Sequence, residues 1–154
     1  MIQISPGDLV GVRANNRYYY ALVLDRVRLF GGNWVFAFHR TSSDLLDASD
    51  ILAGPAAGGF HSFVDFIWAK RDERLVRLAR KQPTTAFLGP GFLKHGFSYH
   101  GGPARWTILD MSFNEERKVP RLSPKEAKFP DYVRIDDAIM IEKIEARWTP
   151  EQDP

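Results

Sequence analysis

Apolar and polar positions alternate from Asp8 to Arg13, with Val10 and Val12 on one face, and a second apolar run follows in Tyr18-Tyr19-Tyr20-Ala21-Leu22-Val23-Leu24. Between the two, Ala14-Asn15-Asn16-Arg17 supplies a pair of residues that tolerate positive φ, as a tight hairpin turn requires. In the second strand Tyr18, Tyr20, Leu22 and Leu24 share one face, and Tyr19, Ala21, Val23 and Val27 share the other. A strand apolar on both faces is expected at the centre of a sheet covered on both sides. Gly31-Gly32-Asn33 reads as a turn, and Trp34-Val35-Phe36-Ala37-Phe38-His39, aromatic and β-branched, as a third strand. The pattern therefore predicts an antiparallel meander from Asp8 to His39, with Trp34 in its core.

Beyond the meander the signals are mixed. Gly54 to Gly59 is a small-residue connector, too short to separate domains. Phe60, Phe63, Val64, Ile67 and Trp68 fit a helix over Ser62 to Lys81. The same residues fit a hairpin from Phe63 to Ala69, turning at Lys70 to Arg74 and returning through Leu75 to Leu78, and the strand formers lean toward the hairpin. Residues 82 to 104 carry Pro83, Gly89, Pro90, Gly91, Gly96, Gly101, Gly102 and Pro103, a density that argues against a long regular element. Arg105 to Asp110 is read as a strand re-entering the core with Trp106 buried. Ser123-Pro124-Lys125-Glu126 has the cap, the first-turn proline and the Glu that start a helix, and Pro130 stops it. Tyr132 to Ile135 and Ala138 to Ile144 are read as two strands around Asp136-Asp137, with a helix from Asp137 as the competing reading. The expected fold is mostly β: a single antiparallel β domain over residues 1–154, SH3-like or barrel-like, built from the meander plus further hairpins, with short helical turns.

Composition changes this picture chiefly by exclusion. In 154 residues, 44% hydrophobic and 13% aromatic, there is ample material for a packed core. The chain has no Cys, which removes disulfides, thiolate metal sites and cysteine nucleophiles. No apolar run approaches the ~20 residues of a spanning helix, and the start lacks the features of a signal peptide. A cytoplasmic protein with no membrane association is expected. The net charge of +2 is too small for general attraction to phosphate backbones. It is unevenly spread, however: Phe66 to Arg105 has a local balance of +6, and Asp131 to the end stands at −4. The simplest reading is two regions that offset one another, and the sharper one is a basic face for an acidic partner.

Motifs with defined chemistry are missing. The four histidines, His39, His61, His95 and His100, form no His-Glu-x-x-His frame, and only His95 and His100 stand close in sequence. The glycines assemble neither a phosphate loop nor a dinucleotide fingerprint, and no Gly-x-Ser-x-Gly elbow presents a serine. No catalytic residue, cofactor or metal is expected, and the protein is read as a non-enzyme. His39, ending an aromatic strand, is expected at the edge of the core with its ring nitrogen satisfied.

The aromatic residues of the meander, with Phe63, Phe66 and Trp68, raise, particularly beside Arg13, Arg17, Arg26 and Arg28, the alternative of a small β-barrel that binds nucleic acid by stacking. Core packing accounts for most of them more simply. The segment from Phe87 to Gly102 is different, because a Gly-rich loop cannot easily bury all its rings; it either packs them over an open end of the sheet or presents them to a partner. Phe92, Lys94, His95, Phe97, Tyr99 and His100 are therefore the expected partner-binding residues, joined by Asp44 and Asp47 of a hydrated acidic cluster.

Pro6-Gly7-Asp8-Leu9-Val10 opening a strand, a Tyr-rich second strand ending Ala21-Leu22-Val23-Leu24, Asp50-Ile51-Leu52 after the third, then Arg105-Trp106-x-Ile108-Leu109 and Pro120 together resemble the immunity protein 26 family of bacterial polymorphic toxin systems. The resemblance covers residues 6 to 122. It departs from the family pattern at Tyr20-Ala21, where a glycine is common. It implies a mostly β, non-enzymatic, cytoplasmic protein that binds and neutralises a cognate protein toxin. The motif residues are fold determinants and identify no toxin contact.

Overall fold

The computed structural model describes residues 2–27, 32–53, 58–97 and 105–152. The fold is mostly β, with two sheets and a few short helices. Two compact units are delineated: Met1–Phe87 with Arg134–Trp148, and Leu88–Val133 with Thr149–Pro154.

The first unit is built on the meander. Strands β1 (Leu9–Ala14), β2 (Arg17–Val27) and β3 (Gly32–Ser42) pair antiparallel in sequence order. The β1–β2 turn is made by Asn15 and Asn16, both at positive φ (52° and 59°), the conformation a two-residue hairpin requires. After α1 (Ala48–Leu52), strand β4 (Gly59–Asp65) adds to β3. The chain then passes through α2 (Ile67–Arg71) to β5 (Leu75–Ala79), which pairs with β1. A short β9 (Arg134–Asp136) runs parallel to β4 and leads into α4 (Asp137–Glu145), giving the order β5-β1-β2-β3-β4-β9.

As its two apolar faces require, β2 lies inside this sheet with both faces covered. Tyr19, Ala21 and Val23 pack with Val10, Val12, Val35 and the α4 residues Met140, Ile141 and Ile144. Tyr20 and Leu22 pack on the other face with Leu9, Phe38 and Ile51 of α1. Tyr19 also donates its hydroxyl to Glu145 at the end of α4. Burial of the phenol, followed by this carboxylate, raises its pKa above the ordinary 10.0.

Two sequence expectations are corrected in this unit. Residues 62–81 form neither one helix nor one hairpin: β4 and β5 do not pair, and they occupy different places in the sheet order. The one-turn helix α2 carries the chain to the free edge of β1, and the turn closes at Glu73 (φ 54°) with Arg74 N–H donating to the Ala69 carbonyl at 2.8 Å. Ala138 to Ile144 is helical, the competing reading. Asp136 caps it by accepting from the Ile139 amide at 2.9 Å. Asp137, Met140, Ile141 and Ile144, all buried, lie on one helical face, where alternation would have buried only half of them.

The second unit holds β6 (Phe92–Phe97), β7 (Arg105–Asp110) and β8 (Glu115–Val119), antiparallel in that order. Leu93 and Ile108 are fully buried, as is almost all of Phe129. The helix α3 (Pro124–Ala127) begins with the expected capping box between Ser123 and Glu126. The bond from the Ser123 amide, with help from Arg117, holds the Glu126 carboxyl below its ordinary pKa. Three more expectations change here. Arg105 to Asp110 does not rejoin the meander but forms the centre of this separate sheet. Trp106 is half-buried rather than buried. Its ring lies against Gly96 on the paired strand, where an added Cβ would stand 2.8 Å from it. The stretch 82–104, read as irregular, contains the six-residue strand β6, because pairing along β7 outweighs the low strand propensity of Gly96.

Candidate functional site

An exposed aromatic side chain of the first unit is on α2. Asp65 starts this helix by accepting from the Ile67 amide at 3.0 Å. Phe66 and Ala69, three positions apart, turn into the core, which sends the intervening side chains outward. Trp68 is consequently 53% exposed and Ile67 37% exposed. The Arg71 guanidinium stands over the Trp68 ring, 5.3 Å from its centroid. A large ring held by a cation and standing in water is the type of side chain that anchors protein interfaces.

The residues expected to bind a partner are distributed differently. On β6, His95 is exposed, and Phe92 and Phe97 are half-buried. The His95 ring meets Tyr132 edge-on at 5.6 Å and Phe92 stacks on Phe129 at 5.5 Å. Asp44 and Asp47 are exposed on the segment that leads into α1. Tyr99 and His100 lie outside the described residues. Lys94 is a correction: it is fully buried, with its ammonium donating to the Ala127 carbonyl at 2.9 Å and the Pro150 carbonyl at 2.5 Å. Asp131 lies 3.8 Å away and the Trp106 ring 5.6 Å away. Leu93 and Lys94 are both fully buried although adjacent on β6, and the Lys94 cation serves to join three segments of the second unit.

The uneven charge of the sequence is partly consumed internally. Arg74 pairs with the buried Asp137 at 3.0 Å and with Asp72 at 3.5 Å. Both the Arg74–Asp137 and the Lys94–Asp131 pairs join the basic middle of the sequence to its acidic end, each through a buried group. The rings that suggested base stacking are also largely internal: Tyr19 and Tyr20 are fully buried, and Trp34 nearly so. Trp34 packs between Phe63, at 4.5 Å, and His61, at 5.5 Å. His39 behaves as the sequence suggested, buried with Nε2 2.7 Å from the Trp148 carbonyl.

Comparison with protein-family models, curated proteins and solved structures finds no match. No group of three or more metal-ligating side chains occurs among the described residues, and no helix among them is long and apolar enough to cross a membrane.

Proposed function

We propose that this protein is an immunity-type binding protein that neutralises a cognate bacterial toxin by protein–protein contact. The observation that carries the reading is the exposed Trp68 with Arg71 over its ring, a pairing of the two residue types most often found as interface anchors. The exposed Ile67 beside it extends the apolar area. The motif resemblance at Pro6-Gly7-Asp8-Leu9-Val10 and Arg105-Trp106 supplies the class of partner. On the second unit, the exposed His95 and half-buried Phe97 of β6 form a separate contact region under the same reading.

Co-expression with the product of the neighbouring reading frame tests the proposal. Rescue of growth and co-purification of the two chains are the expected results. Trp68→Ala should weaken the complex by about 30-fold or more, the loss of an anchor residue, with unchanged melting. His95→Ala with Phe97→Ala tests the second region in the same way. A neighbouring product that is not toxic, or a complex indifferent to both sets of substitutions, overturns the reading.

A further inference from the structure

A pocket of about 540 Å³ opens in the first unit between the segment before β1 and the end of β5. Its frame is fixed by the backbone. Ser5 to Asp8 form a turn with Gly7 at φ 88°, and the Asp8 amide donates to the Ser5 carbonyl at 3.0 Å, as Pro-Gly in a type II turn dictates. The Gly7 carbonyl accepts from the Gln82 amide at 2.8 Å. A Cβ on Gly7 would stand 3.1 Å from the Lys81 Cα, so the two walls touch through this glycine. Three cationic side chains, Arg77, Arg80 and Lys81, line the space together with a single carboxylate, Asp8.

Arg77 is held in place before any ligand arrives. Its Nη1 donates to the Gln3 carbonyl at 2.7 Å and lies 3.6 Å from the Asp8 carboxylate, which is itself buried and fixed by the Ser5 amide at 2.9 Å. The remaining donors of the guanidinium, Nε and Nη2, have no partner among the described residues. That is the edge suited to forked recognition of an oxyanion. Arg80 and Lys81 are exposed at the rim and make no ion pair among the described residues.

We propose that this pocket binds a small phosphomonoester. Against the one carboxylate, the three cations leave two positive charges, which match the roughly −1.5 to −2 of a phosphomonoester near neutral pH. The volume falls within the range of about 300–1,000 Å³ typical of small-molecule sites and leaves room beyond the phosphoryl group. Ile2 and Pro6, also in the lining, give that remainder an apolar wall.

Titration of the full chain with adenosine 5′-monophosphate, ribose 5-phosphate, inorganic phosphate and adenosine, followed by amide chemical shifts at low ionic strength, tests the assignment. Saturable binding of at least one of the two phosphomonoesters is expected, with shifts confined to residues 2–8 and 77–82, weaker binding of inorganic phosphate and none of adenosine. Arg80→Gln with Lys81→Gln, both at the exposed rim, should weaken binding at least about tenfold, the loss of charged donors to the phosphoryl oxygens, and should leave melting unchanged. Absence of saturation by either phosphomonoester, or an affinity unchanged in the double variant, overturns the site. Equal affinity for inorganic phosphate overturns the organic ligand. These outcomes do not depend on any toxin partner.

Discussion

Arg74, which follows the turn after α2, donates to the buried carboxylate of Asp137 at 3.0 Å, joining the start of α4 to the strand-to-strand crossing across 63 positions of sequence. The other oxygen, Asp137 Oδ1, is buried without a hydrogen-bond partner among the described residues. The arginine is therefore the group that makes this buried charge tolerable.

Arg74→Ala is expected to destabilise the protein by about 2–3 kcal/mol, the order of a charged hydrogen bond with its partner left buried. Asp137→Asn should cost less, because an amide at that place needs no cation. Urea denaturation of both variants measures the difference, and a loss below about 0.5 kcal/mol for Arg74→Ala would reduce the pair to the standing of a surface contact.

Lys94→Met preserves much of the side-chain volume but removes the donor shared by the Ala127 and Pro150 carbonyls. With two acceptors deprived of their ammonium partner, a loss of at least about 2 kcal/mol is expected. Hydrogen exchange should show the faster opening first in β6 to β8 and α3. Uniformly wild-type protection there would contradict the role assigned to this lysine.

Burial lowers the pKa of His61 below its ordinary 6.5, and the bond from its ring to the Phe87 carbonyl only partly offsets this. The folded state thus favours the neutral ring, and protonation favours unfolding. The stabilisation from this residue is complete above about pH 6.5 and is lost as pH falls through the lowered folded-state value. Stability measured between pH 7 and 5 should decline on acidification, and His61→Gln should flatten that slope. An unchanged slope in the variant would assign the decline to other groups.

A Cβ on Gly59 would lie 2.3 Å from the Ala37 carbonyl oxygen and 2.6 Å from the Phe36 ring. Gly59→Ala must therefore push β4 away from β3 at Phe38, with which Gly59 pairs. A loss of about 3 kcal/mol, the upper part of the overpacking range, is expected in thermal or chemical melting. A neutral substitution would mean that this end of the β3–β4 ladder is readily displaced.

Local chemistry alone determined the first hairpin, the central position of β2 and the start of α3. Asn15-Asn16 meets the backbone demand of a two-residue turn, alternation puts apolar side chains on both faces of β2, and Ser123 and Glu126 satisfy each other's neighbouring amides within four residues. The elements that sequence left open or misplaced are those whose partners are distant. Residues 138–144 have the β-branched content of a strand, but one sheet face receives Met140, Ile141 and Ile144 together, and burying that helical stripe outweighs local propensity. Gly96 reads as a breaker until β7 pairs with it. Lys94 reads as a surface cation until the segments carrying Ala127 and Pro150 bring two carbonyls to it. Trp68 fits either a helix or a hairpin by its spacing, and the five-residue α2 leaves it outside because Phe66 and Ala69 fill the space beneath it. In each case free energy gained from contacts far away in sequence settled what the local pattern left undecided.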